Sequence, residues 1–354
     1  MKQLQALRKK IDLLDKNIIT NLNRRARLSL EIGEIKRKRN VSAYAPDREM
    51  DVYKRIAANS KGPLSKTTLE SIYREVMSGT LSLEAPLKIA YLGPPATFTH
   101  LASLKKFGSS VQYVTTKSIA DVFAEVESQR VDFGVVPIEN SIEGAVNHTL
   151  DMFVESDLKI CSEVSLEISH NLLAKKGTKL SRIKNVYSNP QVFGQCRIWL
   201  EGNLSNADLV EVASTTKSAE IVAKQKDSAC IASVLAAGCY GLNILAKGIE
   251  DYAHNVTRFL VIGRVEPKPT RHDKTSILFS VKDKVGALHA MLAPFRKNGI
   301  NLTKIESRPS KKKVWDYYFF VDLEGHHLDP KIKKALKGLQ KQTKFMKVLG
   351  SYPC

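Results

Sequence analysis

No stretch of the sequence approaches the roughly 20 consecutive apolar residues that cross a bilayer, and the opening residues Met1 to Lys10 hold no apolar core of the kind a secretory signal requires. A membrane-spanning or exported protein is thereby disfavoured, and a soluble cytoplasmic one is expected. Cysteine is scarce. Cys161, Cys196, Cys230, Cys239 and Cys354 are scattered, odd in number and without a CxxC pair, which argues against both a zinc site and a disulfide framework. Aromatic residues are not interleaved with the basic ones and no nucleic-acid fold signature accompanies them, so the net charge of +19 is poor evidence for a nucleic-acid partner.

That charge is unevenly placed. Lys plus Arg outnumber Asp plus Glu by 18 to 10 over residues 1–85, stand at 19 to 19 over 86–268, and lead by 18 to 7 over 269–354. Basic ends of this kind suit small anionic substrates or a merely solvated surface. At 354 residues the chain is too long for one core and suits two or three domains.

Over residues 2–39 apolar side chains recur in steps of three, four or their sums, at Leu4, Leu7, Ile11, Leu14, Ile18, Leu22, Leu28, Ile32 and Ile35, with no proline and only Gly33 as a glycine. This predicts one long amphipathic helix. At 1.5 Å per residue it would span about 57 Å, more than a monomeric domain needs, which implies a partner chain. Pro46 and Asp47 open a second helix through Asn59, Lys61-Gly62-Pro63 interrupts, and Ser65 caps a third that ends near Glu84. Ala85-Pro86 is the first boundary. Beyond it strands alternate with helices to about Val265, the pattern of an α/β domain, and the chain leaves one lobe near Glu167 and returns near Gly248. Polar clusters at Gly93 to Thr99, Ser188 to Gln191, Ser214 to Thr216 and His254 to Phe259 fall at strand ends, where open sheets place ligands; the last directly precedes a strand Leu260-Val261-Ile262. Pro267-Lys268-Pro269 is the second linker. The remainder reads as a strand (Thr275 to Val281), a helix (Gly286 to Asn298) bent by Pro294, strands Asn301 to Arg308 and Val314 to Asp322 about the basic turn Ser310-Lys311-Lys312-Lys313, a helix from Asp329 and a strand Phe345 to Leu349. The order βαββαβ predicts two helices on one face of an antiparallel sheet.

The stretch Val131 to Thr149 is the most informative. Its apolar, β-branched first half reads as a buried strand stopping at Pro137, and Asn140 and Ser141 are good N-cap residues ahead of a helical pattern. A strand feeding a helix through a short polar loop offers unpaired N–H groups to an anion. The same residues also suit an ordinary strand-to-helix turn with Glu139 and Glu143 solvated.

Taken together, Tyr91-Leu92-Gly93-Pro94, Pro137-Ile138-Glu139-Asn140-Ser141, Tyr187-Ser188 with Pro190-Gln191, and Asn255 with Thr257-Arg258-Phe259 resemble prephenate dehydratase motifs in the right order. Nearly the whole chain is similar to the family of bifunctional chorismate mutase/prephenate dehydratases. The resemblance implies an all-α chorismate mutase domain over 1–85, a two-lobed, periplasmic-binding-like α/β dehydratase domain over 86–267, and an α+β βαββαβ ACT regulatory domain over 268–354. It also implies conversion of chorismate to prephenate and of prephenate to phenylpyruvate, with feedback by phenylalanine. Arogenate in place of prephenate, or a two-lobed ligand sensor without catalysis, are the alternatives.

In the dehydratase cleft the family implies roles for Glu139, Asn140, Ser188, Gln195, Glu211 and, centrally, Thr257. Losing carbon dioxide and hydroxide from prephenate makes an aromatic ring, so the enzyme chiefly orients a dicarboxylate and protonates a leaving hydroxyl; no metal or cofactor is demanded. In the helical domain Arg8, Arg25, Lys36, Arg48 and Glu49 match the binding residues of helical chorismate mutases, whose task is to clamp two carboxylates and set charge near the breaking ether bond. Two positions depart from the pattern: Ala45 stands where many relatives carry aspartate, and Glu84 where some carry glutamine, with Thr80 one turn before it. Arg8 and Arg25 are about 25 Å apart along one helix, too far for one small ligand, so the mutase site is expected to be shared between two chains of a homodimer or higher oligomer. In the ACT-like segment Gly286-Ala287-Leu288 and Glu306-Ser307-Arg308-Pro309 occupy the positions such domains use to hold an amino acid.

Overall fold

The computed structural model describes residues 1–39, 41–252, 254–281, 285–310 and 317–354. They form two compact units, Met1–Lys88 with Lys106–Gln112, and Ile89–Lys105 with Tyr113–Cys354. Among the described residues no helix is long and apolar enough to cross a membrane.

The first unit is helical: α1 (Lys2–Lys38), α2 (Pro46–Asn59) and α3 (Lys66–Glu84). The predicted helices are all present. Pro46 sits in the first turn of α2, where its missing N–H costs nothing, and the Ser65 side chain accepts from the Thr68 N–H to cap α3. The C-terminal part of α1 packs on α3, and Gly33 makes this possible, since a Cβ there would lie 3.1 Å from Cβ and Cγ of Glu84. The N-terminal part of α1 is different. Leu4, Leu7, Ile11, Leu14, Ile18 and Leu22 are 40–60 % exposed, so the apolar stripe that the periodicity predicts is uncovered.

The second unit opens with β1 (Lys88–Leu92), α4 (Phe98–Phe107), β2 (Gln112–Thr116), α5 (Ile119–Glu127), β3 (Phe133–Asn140), β4 (Gly144–Ala145), α6 (Asn147–Glu155) and β5 (Lys159–Glu167). The chain then crosses to β6 (Asn171–Ala174), β7 (Asn185–Ser188), α7 (Pro190–Gln195), α8 (Arg197–Asn203), β8 (Asp208–Glu211), α9 (Thr215–Val222), β9 (Ser228–Ala232), α10 (Val234–Tyr240) and β10 (Asn243–Ala246), and returns as β11 (Val256–Gly263). One lobe is the sheet β2-β1-β3-β11-β5 with β4 on β3; the other is β10-β6-β9-β7-β8. Two crossing segments join them and bond to each other, Ile168 N–H to Asn255 C=O and Ile249 N–H to His170 C=O. The chain thus changes lobe close to the predicted Glu167 and Gly248.

Two local expectations are corrected. The strand at 133 does not stop at Pro137 but runs to Asn140, and the following helix begins at Asn147, with no side-chain cap. Proline is tolerated because Arg258 pairs with Glu139 and Phe259 with Pro137, which leaves Ile138 as the extra residue of a bulge. Asn140 caps a turn instead of a helix, its Oδ1 accepting from the N–H groups of Ile142 and Glu143. Likewise Thr257 and Arg258 lie inside β11, paired on both sides, rather than ahead of the strand. Their polarity resembles a loop only because their polar partners are remote in sequence.

The chain ends with β12 (Asp273–Val281), α11 (Ala287–Lys297), β13 (Leu302–Pro309), β14 (Tyr317–Glu324), α12 (Pro330–Gln340) and β15 (Thr343–Pro353). The sheet order β13-β14-β12-β15, antiparallel throughout, is the predicted βαββαβ arrangement. The predicted strand start at Val314 and the lysines of the basic turn lie outside the described residues. One sheet face meets Met291, Phe295, Ile332 and Leu336 of the two helices, with Pro294 of α11 set against Gly338 of α12. The other face contributes Leu278, Phe320, Leu349 and Tyr352 to the same core as Ile138, Leu150 and Ile160 of the first lobe.

Candidate active sites

In the helical unit Arg25 Nη1 donates to Thr80 Oγ1 at 3.0 Å, and Lys36 Nζ reaches Glu84 Oε2 at 3.3 Å and the Ala43 carbonyl at 2.6 Å. Helical spacing explains both pairs, since Arg25 and Lys36 share a face of α1 while Thr80 and Glu84 are one turn apart on α3. Glu49 accepts from Tyr44 and pairs with Lys106, each at 2.8 Å. An open cavity of about 610 Å³ is lined by Arg25, Arg48, Arg55 and Tyr73 among others. Arg55 is a third cation that sequence reasoning missed; its signal is the seven-residue step from Arg48, which returns to the same face of α2. Lys36, Glu49, Thr80 and Glu84 are not among the residues lining that cavity. Arg8 lies on the exposed part of α1, apart from this group.

The two-lobed region collects a chain of amides. Asn140 Nδ2 donates to Asn255 Oδ1 at 2.6 Å and to Thr257 Oγ1 at 2.8 Å. Register does this, because β3 and β11 set Asn140 directly opposite Thr257. Asn255 Nδ2 donates to Gln195 Oε1 at 3.3 Å, and the same oxygen meets His170 Nε2 at 2.7 Å. Burial holds the His170 imidazole below its ordinary pKa. Gln195 Nε2 and Gln191 Nε2 donate to the two carboxylate oxygens of Glu143, at 2.8 and 2.9 Å. Asn140, Glu143 and Thr257 come from one lobe and Gln191 and Gln195 from the other, so the network bridges them.

Ser188 is fully buried at the end of β7 with its Oγ donating to the Ile231 carbonyl, and Glu211, exposed at the end of β8, is its register partner. Among the described residues neither side chain bonds to the amide chain. Glu139 points elsewhere altogether. Successive strand residues face opposite ways, so with Asn140 in the cleft Glu139 turns to Arg258 Nη1 at 3.1 Å and to Lys304. His170, Glu143 and Gln191 complete the group without being expected. Gln191 was visible in a motif, Glu143 looked solvated, and a lone histidine gives no signal.

Behind this site sits a charge cluster. Arg258 also meets Glu163 at 2.8 Å and Asp322 at 2.6 Å, Lys274 meets Glu163 at 2.7 Å, and Ser276 donates to Asp322 at 2.5 Å. Burial opposes the charge on Arg258, but Tyr352, Asp322 and Glu163 outweigh it and hold the guanidinium well above its ordinary pKa. For Glu139 burial is likewise outweighed, here by Lys304 and Arg258, and its carboxyl is held below the usual range.

In the C-terminal sheet domain Gly286 is the N-cap of α11 with φ 77°, a conformation that glycine accepts freely, and Ala287 and Leu288 follow it in the helix. Glu306, Ser307, Arg308 and Pro309 end the edge strand β13. Arg308 is engaged, with Nη2 at 3.2 and 3.3 Å from the two oxygens of Asp151 on α6.

The fold and these sites define an enzyme of two catalytic regions, one helical and one two-lobed α/β, followed by a small α+β domain. Family models match in that order: Chorismate mutase type II over residues 7–85, Prephenate dehydratase over 89–267 and ACT domain over 275–340. The bifunctional chorismate mutase/prephenate dehydratase of Aquifex aeolicus is 52 % identical over 357 residues, covering 100 % of this chain and 98 % of that one; the Stutzerimonas stutzeri protein of the same description is 48 % identical, covering 99 % and 98 %. The crystal structure of prephenate dehydratase from Arthrobacter aurescens in complex with L-Phe superimposes with a TM-score of 0.71 at 34 % identity, covering 76 % of this chain and 90 % of that one. The chain belongs to the bifunctional chorismate mutase/prephenate dehydratase family and is an enzyme, which sets aside the ligand sensor without catalysis.

Proposed function

We propose that the chain makes phenylpyruvate from chorismate in two steps, the first in a domain of residues 1–85, the second in a domain of residues 86–267, with phenylalanine acting through residues 268–354. The observation that carries the second step is Asn140 Nδ2 donating to Thr257 Oγ1 at 2.8 Å. A hydroxyl oxygen that accepts there has its own O–H left to donate. As the ring–carboxylate bond breaks, its electron pair enters the ring, the C–O bond to the hydroxyl opens, and hydroxide leaves as water. Thr257 donates a hydrogen bond to that departing oxygen, and one proton from solvent is consumed overall. For the first step, Arg25, Arg48 and Arg55 around the cavity supply the cations for chorismate's two carboxylates. Arg8 of a partner chain would complete the site, in a homodimer.

Regulation rests on the ion cluster. Arg258 and Glu139 are chain neighbours of Thr257 and Asn140, and both bond to the sheet domain, through Asp322 and Lys304. A phenylalanine-dependent shift of β13 or β14 would therefore displace the strands that carry the dehydratase groups; L-Phe is also the molecule bound to the Arthrobacter relative. With purified protein, chorismate should disappear and phenylpyruvate appear, less rapidly with phenylalanine present. Thr257→Ala should slow the second step by about 10²-fold or more and let prephenate accumulate, with chorismate loss unchanged. Unchanged phenylpyruvate formation would remove Thr257 from the chemistry.

A further inference from the structure

We infer that Glu143 is a positioning residue of the dehydratase, fixing the direction of the amide chain so that the Thr257 hydroxyl faces the substrate as a donor. This rests on Thr257 being that donor. Glu143 holds the chain at both ends. Its backbone N–H donates to Asn140 Oδ1 at 3.0 Å, and its side-chain Oε1 accepts from Gln195 Nε2 at 2.8 Å. Between these ends every donor points the same way round, Asn140 Nδ2 to Asn255 Oδ1 and Asn255 Nδ2 to Gln195 Oε1, so the bonds form a closed ring through Glu143.

The direction follows from chemistry. An ionised carboxylate only accepts, whereas each primary amide has one accepting and one donating end. With Glu143 accepting from Gln195, the Gln195 oxygen is left for Asn255 and for His170, whose Nε2 must then carry its proton. Asn255 in turn presents its oxygen to Asn140. Asn140 is held from its other side as well, by the N–H groups of Ile142 and Glu143, and so donates to Thr257. The second carboxylate oxygen accepts from Gln191 at 2.9 Å, which ties the β3–β4 loop to α7 across the two lobes. Glutamine at position 143 has the same shape but a donating end, so one of the two facing amides would meet a donor. Gln195 would then be free to turn over, and the ring would lose its single direction.

The test uses the full chain with Glu143→Gln, Thr257→Ala and the double variant, reading kcat and KM for prephenate, with the thermal unfolding midpoint as a control. We expect Glu143→Gln to lower kcat by about 10-fold or more, the scale of a misoriented catalytic group, with KM within about 3-fold and the midpoint unchanged. The double variant should be no slower than Thr257→Ala by more than about 2-fold, because both act through one hydroxyl. Unchanged kcat in Glu143→Gln, or losses that multiply in the double variant, overturns the role of Glu143. Wild-type turnover in Thr257→Ala instead overturns the reading of Thr257, whatever Glu143→Gln does.

Discussion

Thr257 and Arg258 are adjacent in β11, and because successive strand side chains leave opposite faces of the sheet their surroundings share almost nothing. Thr257 meets an uncharged amide; Arg258 meets three carboxylates, Glu139, Glu163 and Asp322, which with Lys274 and Lys304 make a cluster of three cations and three anions. Such a cluster is costly to break from one side, since the remaining charge stays buried and unpaired. Glu139 gives it a pH signature. Its folded-state pKa is held below the ordinary value near 4.5, so its contribution is complete above that value and is lost as pH falls through the lower, folded-state one. Glu139→Gln should therefore be less stable than wild type in urea at pH 7, with the gap closing toward pH 3. An equal gap at both pH values would mean that the charge of Glu139 contributes nothing.

At the scale of elements, close approach of backbones decides what can couple to what. Gly350 in β15 lies so near β5 that a Cβ would fall 2.9 Å from the Ile160 nitrogen and nearer still to its carbonyl oxygen. Backbone atoms cannot swing aside as a side chain would. Gly350→Ala should cost about 1–3 kcal/mol, the scale of an overpacked core, measured by chemical denaturation. If phenylalanine acts through this packing, the same variant should also be less inhibited by it; full stability with full inhibition would show that the sheets need not touch here. In α1 Gly33 has the comparable role, seating Glu84 against the helix that carries Lys36.

For the whole molecule the uncovered stripe on α1 sets the expectation. Leu4, Leu7, Ile11, Leu14, Ile18 and Leu22, each 40–60 % exposed on one helix, call for a cover, and a second copy of the same helix would supply one by symmetry. In the proposed dimer Arg8 would serve the partner's mutase site. Arg8→Ala and Arg25→Ala chains, each inactive alone, should regain part of the mutase activity when mixed under subunit exchange, because a mixed dimer holds one site with both arginines intact. No recovery in verified mixed dimers would confine each mutase site to a single chain.

Local physics determined much of this protein directly from its sequence. Periodicity located α1 and α3, Pro46 and Ser65 marked where helices begin, and strand and helix order was enough for an α/β region and a βαββαβ end, because these features depend on residues a few positions apart. Motifs at strand ends held Asn140 and Thr257, and the family resemblance added Gln195. Tertiary structure alone decided which way each side chain faces. Pairing of β3 with β11, more than 110 residues apart, turns Asn140 to Thr257 and Glu139 to Arg258, and the bulge at Ile138 carries the strand past Pro137. The crossing between lobes brings His170 and Gln195 to Asn255, and Glu143, indistinguishable in sequence from a solvated carboxylate, to two glutamines of another lobe. A side chain's direction depends on partners whose distance along the chain no local pattern records.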